Sequence, residues 1–332
     1  QNDFTKMQFI KYDAESGKSI AGGKFQVIDL DGNVVDEWTG KEEPHTINYL
    51  TVGKEYIFKE IEAPKGYVLA DDVHFVVERT AEIQTIEMYD SNAMGQIHIQ
   101  KGDAETGEAL KYATFEIAAE EDIVTPDGTT HLKKGDVADT ITTDENGMAV
   151  SKKLYLGKYK IQEKKQPDGY LFDETVYHAE LKYKDQNTAL ITESFQIVNT
   201  PTEVEVLKTD KETGKPMAGV EFAVWNKAMA GEDQDMALVQ NFVTDKDGKI
   251  NIKRLAPGTY CFQETKTVPG YVLDEKIYEV TIDKDGLVEG KKIGKLEITN
   301  IPTKLIGTTA RDQQTQTHEA VPKKETTFVD TV

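Results

Sequence analysis

Three lysines, three glutamates and three Asn or Asp side chains recur along this chain at matched spacing, and together they could form amide bonds without a cofactor. Lys11, Lys101 and Lys208 each lie two residues before an aspartate (Asp13, Asp103, Asp210) and six before a glycine (Gly17, Gly107, Gly214). Glu60, Glu163 and Glu264 each stand seven residues before the tyrosine of a Gly-Tyr pair (Tyr67, Tyr170, Tyr271), with Pro64, Pro167 or Pro269 between. Asp90, Asn199 and Asn300 end the segments TIEMYD, SFQIVN and KLEITN. A neutral lysine amine is a nucleophile, and a protonated carboxylic acid can hydrogen-bond to an acyl oxygen and polarise it. Attack on Asn would expel ammonia and attack on Asp would expel water, leaving a neutral amide.

Such chemistry needs a dry setting, and side-chain parity supplies the test. Strand residues two apart share a face. Met7 and Phe9 lead to Lys11, Ile97 and Ile99 to Lys101, and Val204 and Val206 to Lys208. Tyr56 and Phe58 lead to Glu60, Tyr159 and Ile161 to Glu163, and Tyr260 and Phe262 to Glu264. Ile86 and Met88 precede Asp90, Phe195 and Ile197 precede Asn199, and Leu296 and Ile298 precede Asn300. All nine polar groups are therefore expected to face the interior. An isolated charge there would cost several kcal/mol, whereas burial lowers a lysine pKa and raises that of a carboxylic acid, so both can be neutral. The plainer alternative is a buried trio that forms ordinary hydrogen bonds without reacting. In the first repeat Asn92 has the same parity as Asp90, which leaves the acceptor open between the two.

The elements that must position these groups are short strands. Asp, Ser or Thr and then Gly after each lysine is turn chemistry, as are DLDGN, TDENG, TDKDG and DKDGL between the landmarks. The landmarks repeat at intervals of about a hundred residues, a period that marks tandem modules. The pattern predicts an all-β chain of three tandem Ig-like β-sandwich domains, at 1–94, 95–202 and 203–303, with a truncated C-terminal segment at 304–332. The second carries an extra stretch, AAEEDIVTPDGTTHLKKGD, that reads as an extended hairpin. Pro201 and Pro302 mark short, stiff linkers.

Composition narrows the function classes. The 332 residues carry 59 Asp and Glu against 39 Lys and Arg, a formal charge of −20 that repels phosphate backbones and anionic lipid, so neither nucleic acid nor a membrane surface is expected as a partner. The single cysteine, Cys261, excludes an internal disulfide; lying opposite Tyr260 and Phe262, it is expected near the surface. His45, His74, His98, His131, His178 and His318 show no metal-ligand spacing, and the Asp-rich turns complete no EF-hand loop, so no metal or cofactor is expected. The chain reads as a segment of a longer protein.

The strand-end lysine, the E-x-x-x-P-x-G-Y-like box and the closing N-x-P strand resemble the collagen-adhesin B-type and pilin-type domains of Gram-positive surface proteins. The proline departs slightly in the third repeat, where Pro269 directly precedes Gly270. The resemblance implies intramolecular isopeptide bonds from Lys11 to Asp90, Lys101 to Asn199 and Lys208 to Asn300, with Glu60, Glu163 and Glu264 as catalysts. It also implies a non-enzymatic stalk at the bacterial cell surface, anchored to the cell wall through sequence outside this segment. The tail from Ile306 resembles the start of a surface repeat named for a Val-Ala-Phe-Glu signature, some relatives of which form Thr-to-Gln esters; Thr308 or Thr309 would be the threonine. Two other readings stand beside the stalk. One is an adhesive module for a host matrix protein or glycan, with an exposed patch expected near residues 121 to 136. The other is a hydrolase, which would need carboxylates converging in an open cleft.

Overall fold

The computed structural model describes residues 5–229, 238–303, 309–312 and 328–331. They fall into two compact units, Gln1–Pro201 and Thr202–Val332. The first holds two of the repeats and the second holds the third. No helix among the described residues is long and apolar enough to cross a membrane.

In the first repeat a three-stranded sheet has the order His45–Asn48, Lys6–Asp13, Ile83–Asp90, and a four-stranded sheet the order Val34–Thr39, Lys24–Asp29, Glu55–Glu62, Val73–Val76. The third repeats this plan with Lys249–Lys253, Glu203–Asp210, Ile293–Asn300 and with Leu238–Val243, Glu221–Asn226, Gly258–Lys266, Ile277–Ile282. In the second, Met94–Asp103 pairs with Leu190–Asn199, Met148–Val150 and Leu154–Tyr155, and the other sheet runs Val137–Thr142, Thr114–Ala119, Gly157–Lys165, Val176–Leu181. The extra stretch forms a hairpin of Ile123–Val124 and Thr130–Leu132.

The alternating pattern builds each core. Phe9, Phe25, Phe58 and Met88 pack in the first, Ile99, Phe115, Tyr159 and Ile161 in the second, and Val206, Phe222 and Phe262 in the third. Fully burying one such large apolar side chain contributes about 1.5–3 kcal/mol.

Opening and closing strands run parallel in every repeat, aligning Lys11 with Met88, Lys101 with Ile197 and Lys208 with Ile298. The group two residues further along the closing strand is then the lysine's diagonal neighbour on the same face. Parallel neighbours need a long crossover, and the rest of each repeat supplies it.

Cys261 corrects the sequence expectation, since it is buried at 4 % exposure. Its side chain does leave the core face, but Trp225 and Glu279 flank it in register and the 3-10 turn Lys227–Met229 packs against its strand. Burial pushes its thiol pKa up. Of the tail residues, Thr308 lies outside the described residues, and Thr309 begins a strand, Thr309–Asp312, paired with Phe328–Thr331.

Candidate functional site: three buried amine–carboxyl–acyl clusters

The structure brings all nine sequence-derived groups indoors and gathers them into three clusters. None exposes more than 3 % of its surface. Lysine and acyl group come from the parallel pair of one sheet; the glutamate comes from the facing sheet and closes the triangle.

In the third repeat Lys208 Nζ lies 2.5 Å from Asn300 Oδ1 and 2.8 Å from Glu264 Oε2. Asn300 Nδ2 donates to Glu264 Oε1 at 2.6 Å and to Thr267 Oγ1 at 2.7 Å. In the second, Lys101 Nζ lies 3.2 Å from Glu163 Oε1, while Asn199 Nδ2 donates to Glu163 Oε2 at 3.0 Å and to the Leu171 carbonyl at 2.8 Å. Lys101 Nζ and Asn199 Oδ1 there make no well-aligned hydrogen bond, a costly condition for buried polar atoms. In the first, Lys11 contacts Glu60 Oε1 and lies 2.5 Å from Asp90 Oδ1. Asn92 instead donates through Nδ2 to Asp13 Oδ2 at 3.1 Å. The geometry thus sets Asp90 beside the amine and gives Asn92 a different partner.

One detail departs from the sequence-based picture, in which the glutamic acid polarises the acyl oxygen. In the second and third repeats it is the amide nitrogen, the leaving group, that meets the glutamate. Each carboxyl then has one oxygen on the nucleophile and the other on the leaving group.

Electrostatics follow from burial. Desolvation holds the Lys101 and Lys208 pKa values below the ordinary lysine value, against the pull of Glu163 and Glu264. Burial also pushes Asp90 up to about 7, opposed by Lys11 and assisted by Glu60.

Two sets of contacts around the clusters escaped the sequence reading. The amine sits over an aromatic ring each time: Lys11 over Phe25 at 4.8 Å, Lys101 over Phe115 at 5.4 Å and Lys208 over Phe222 at 5.8 Å from the ring centroid. A phenylalanine fourteen residues after each lysine was the available signal. The second set is a latch. Tyr67, Tyr170 and Tyr271 donate through their hydroxyls to Asp13, Asp103 and Asp210 at 2.9, 2.8 and 2.5 Å. Each aspartate also takes the backbone N–H groups two and three residues on, so it ties the turn after the lysine to the turn after the glutamate. Burial would raise the Asp13 carboxyl, but these donated hydrogen bonds hold it below its ordinary value.

The family model of the SpaA prealbumin-like fold domain matches this chain three times, at residues 5–92, 95–194 and 202–296. No curated protein sequence matches it. Among solved structures, the Bacillus anthracis TIE protein is 26% identical with a TM-score of 0.58, over 90% of this chain and 51% of that one; this chain spans about half the length of that protein. BcpA, the major pilin subunit of Bacillus cereus, aligns over 90% of this chain and 100% of its own at 18% identity and a TM-score of 0.43. With three matches that span most of its length, the chain belongs to the SpaA prealbumin-like fold domain family.

Proposed function

We propose that this chain is a load-bearing stalk segment of a bacterial cell-surface adhesin or pilin-like protein, with modules at 1–94, 95–202 and 203–303, each closed by a self-formed amide bond. The observation that carries the reading is the threefold recurrence of a dry amine set against an acyl group and bridged to it by one carboxyl. In the second module Lys101 Nζ attacks Asn199 Cγ and its proton passes to Glu163 Oε1. Glu163 Oε2 delivers a proton to Nδ2, the Cγ–Nδ2 bond breaks, and ammonia leaves. Lys208, Asn300 and Glu264 do the same in the third. In the first, Lys11 attacks Cγ of the protonated Asp90 carboxyl, the amine proton passes to Glu60, and the Asp90 hydroxyl takes a proton from Glu60 and leaves as water. Burial favours the neutral nucleophile in Lys101 and Lys208, and the product amide carries no charge to bury.

Each bond joins the opening strand to the closing strand, so tension crosses the module through covalent bonds rather than by unzipping the sheets. Closing a loop of about 80 to 100 residues would also restrict the unfolded chain by about 4–5 kcal/mol, by analogy with disulfides. The clusters are sealed and turn over once on themselves, which supports a structural role over a hydrolase. Display outside the cell, anchored through other parts of the protein, fits a stapling chemistry that reducing agents cannot undo. The adhesive alternative gains nothing from the hairpin at 121–136, whose turn is occupied by contacts to the first repeat.

Force spectroscopy tests the proposal. Stretching the native chain should give no contour-length gain from the segments between each lysine and its acceptor. A variant carrying Glu60→Ala, Glu163→Ala and Glu264→Ala should release them. Full extension of the native chain would rule the stalk mechanism out.

A further inference from the structure

We infer that the second repeat is a working part of the first repeat's crosslink site, with Gln186 and Tyr183 as its positioning residues. This rests on the amide-closure reading above and extends it to how the glutamate is held.

In the first and second repeats the segment after the glutamate must be fixed, because its backbone hydrogen-bonds to the carboxyl. In the first repeat the Ala70 N–H donates to Glu60 Oε2 at 2.9 Å; in the second the Asp173 N–H donates to Glu163 Oε2 at 2.9 Å. These residues stand at the same place, three beyond the Gly-Tyr tyrosine. Asp173 is clamped from within its own repeat, accepting from the Thr175 N–H at 3.0 Å and the Tyr177 hydroxyl at 2.9 Å. The third repeat has the same clamp, Asp274 with the Lys276 N–H at 3.1 Å and the Tyr278 hydroxyl at 2.8 Å. The first repeat has Ala70 and His74 at these positions and cannot build it.

The second repeat holds that segment instead. Gln186 accepts the Ala63 N–H through Oε1 and the Leu69 N–H through its backbone carbonyl, both at 2.9 Å, so it grips the turn at both ends. The Tyr183 hydroxyl donates to the Tyr67 carbonyl at 3.2 Å. Pro126, in the turn of the extra hairpin, seats against Gly66, where a Cβ would come within 2.4 Å of the proline ring. Gly66 also has φ +99°, so only glycine serves there on both counts. Beside it, Lys18 reaches Thr129 Oγ1 at 2.9 Å and Asp127 at 3.3 Å, and the Tyr155 hydroxyl donates to Glu15 at 2.6 Å. An external grip has replaced an internal clamp.

The test follows each repeat's closure by mass spectrometry of peptides after cell-free synthesis of the full chain. In the Tyr183→Phe/Gln186→Ala variant, water loss at the first repeat should slow by about tenfold, the effect of losing roughly 1.4 kcal/mol of hydrogen bonding. Ammonia loss at the second and third should keep its native rate, which also reports that the second repeat is folded. Gln186→Glu, which keeps an acceptor for Ala63, should close at close to the native rate. Adding Ala70→Asp and His74→Tyr to the double variant should restore closure by building the internal clamp. Unchanged first-repeat closure in the double variant, or equal slowing of all three repeats, would overturn the inference. Absence of any water or ammonia loss in the native chain would overturn the amide-closure reading, and this inference with it.

Discussion

The first and third repeats hold the same triangle of groups with different acyl chemistry. Facing Lys208 is an amide, uncharged at any pH, whose nitrogen rests on Glu264. Facing Lys11 is a carboxyl, so Asp90 and Glu60 crowd one amine, and burial pushes Asp90 up to about 7. The scaffold sets an acyl carbon beside the amine in both, whether it belongs to an amide or to a carboxyl. Under the proposed closure the difference lies in proton supply: the amide would need a neutral amine and a proton for departing nitrogen, whereas the carboxyl would itself have to be protonated before its oxygen could leave as water.

The largest effect expected is from Glu163→Ala, which removes the proton carrier and leaves Lys101 buried without its carboxylate. The second repeat should keep one ammonia and lose about 4 kcal/mol or more of stability, measured by denaturant unfolding with domain-resolved proteolysis. Asp90→Asn should make the first repeat resemble the third: its closure should release ammonia in place of water, while Asp90→Ala should abolish closure, both read by peptide mass.

The pH dependence separates the repeats more finely. Because Asp90 lies above its ordinary value of 3.8, its protonated fraction falls as pH rises through about 7. Water loss at the first repeat should therefore slow above about pH 7, while ammonia loss at the others should not. The linked stability of the unreacted first repeat has the same sign: the folded form binds the extra proton, so this contribution is complete below pH about 3.8 and lost as pH rises through about 7. Equal pH profiles at all three repeats would erase the distinction. The smallest effect is expected from Tyr170→Phe, which removes one donor from the Asp103 latch; the second repeat should lose about 1 kcal/mol and still close.

Parity made the clusters legible. Lys101, Glu163 and Asn199 each continue an alternating apolar series, and a period of two leaves a side chain only one face to occupy. The turns were legible for the same local reason, from Asp-x-x-x-Gly after each lysine. What escaped was nonlocal. The fate of Cys261 depended on the 3-10 turn packed against its strand, and parity alone describes only the strand's own faces. The parallel register pairs Lys11 with Met88 and the latch joins Tyr67 to Asp13, 54 residues apart, and no short-range signal encodes either. The substitution of Ala70 for Asp was visible as a break in the repeat, but its compensation by Gln186 required the neighbouring repeat in place.

Intact mass of the native chain under denaturing conditions tests the central claim most directly. Amide closure in all three repeats predicts a mass below that of the sequence by two ammonia and one water. A mass equal to that of the unmodified sequence would contradict it.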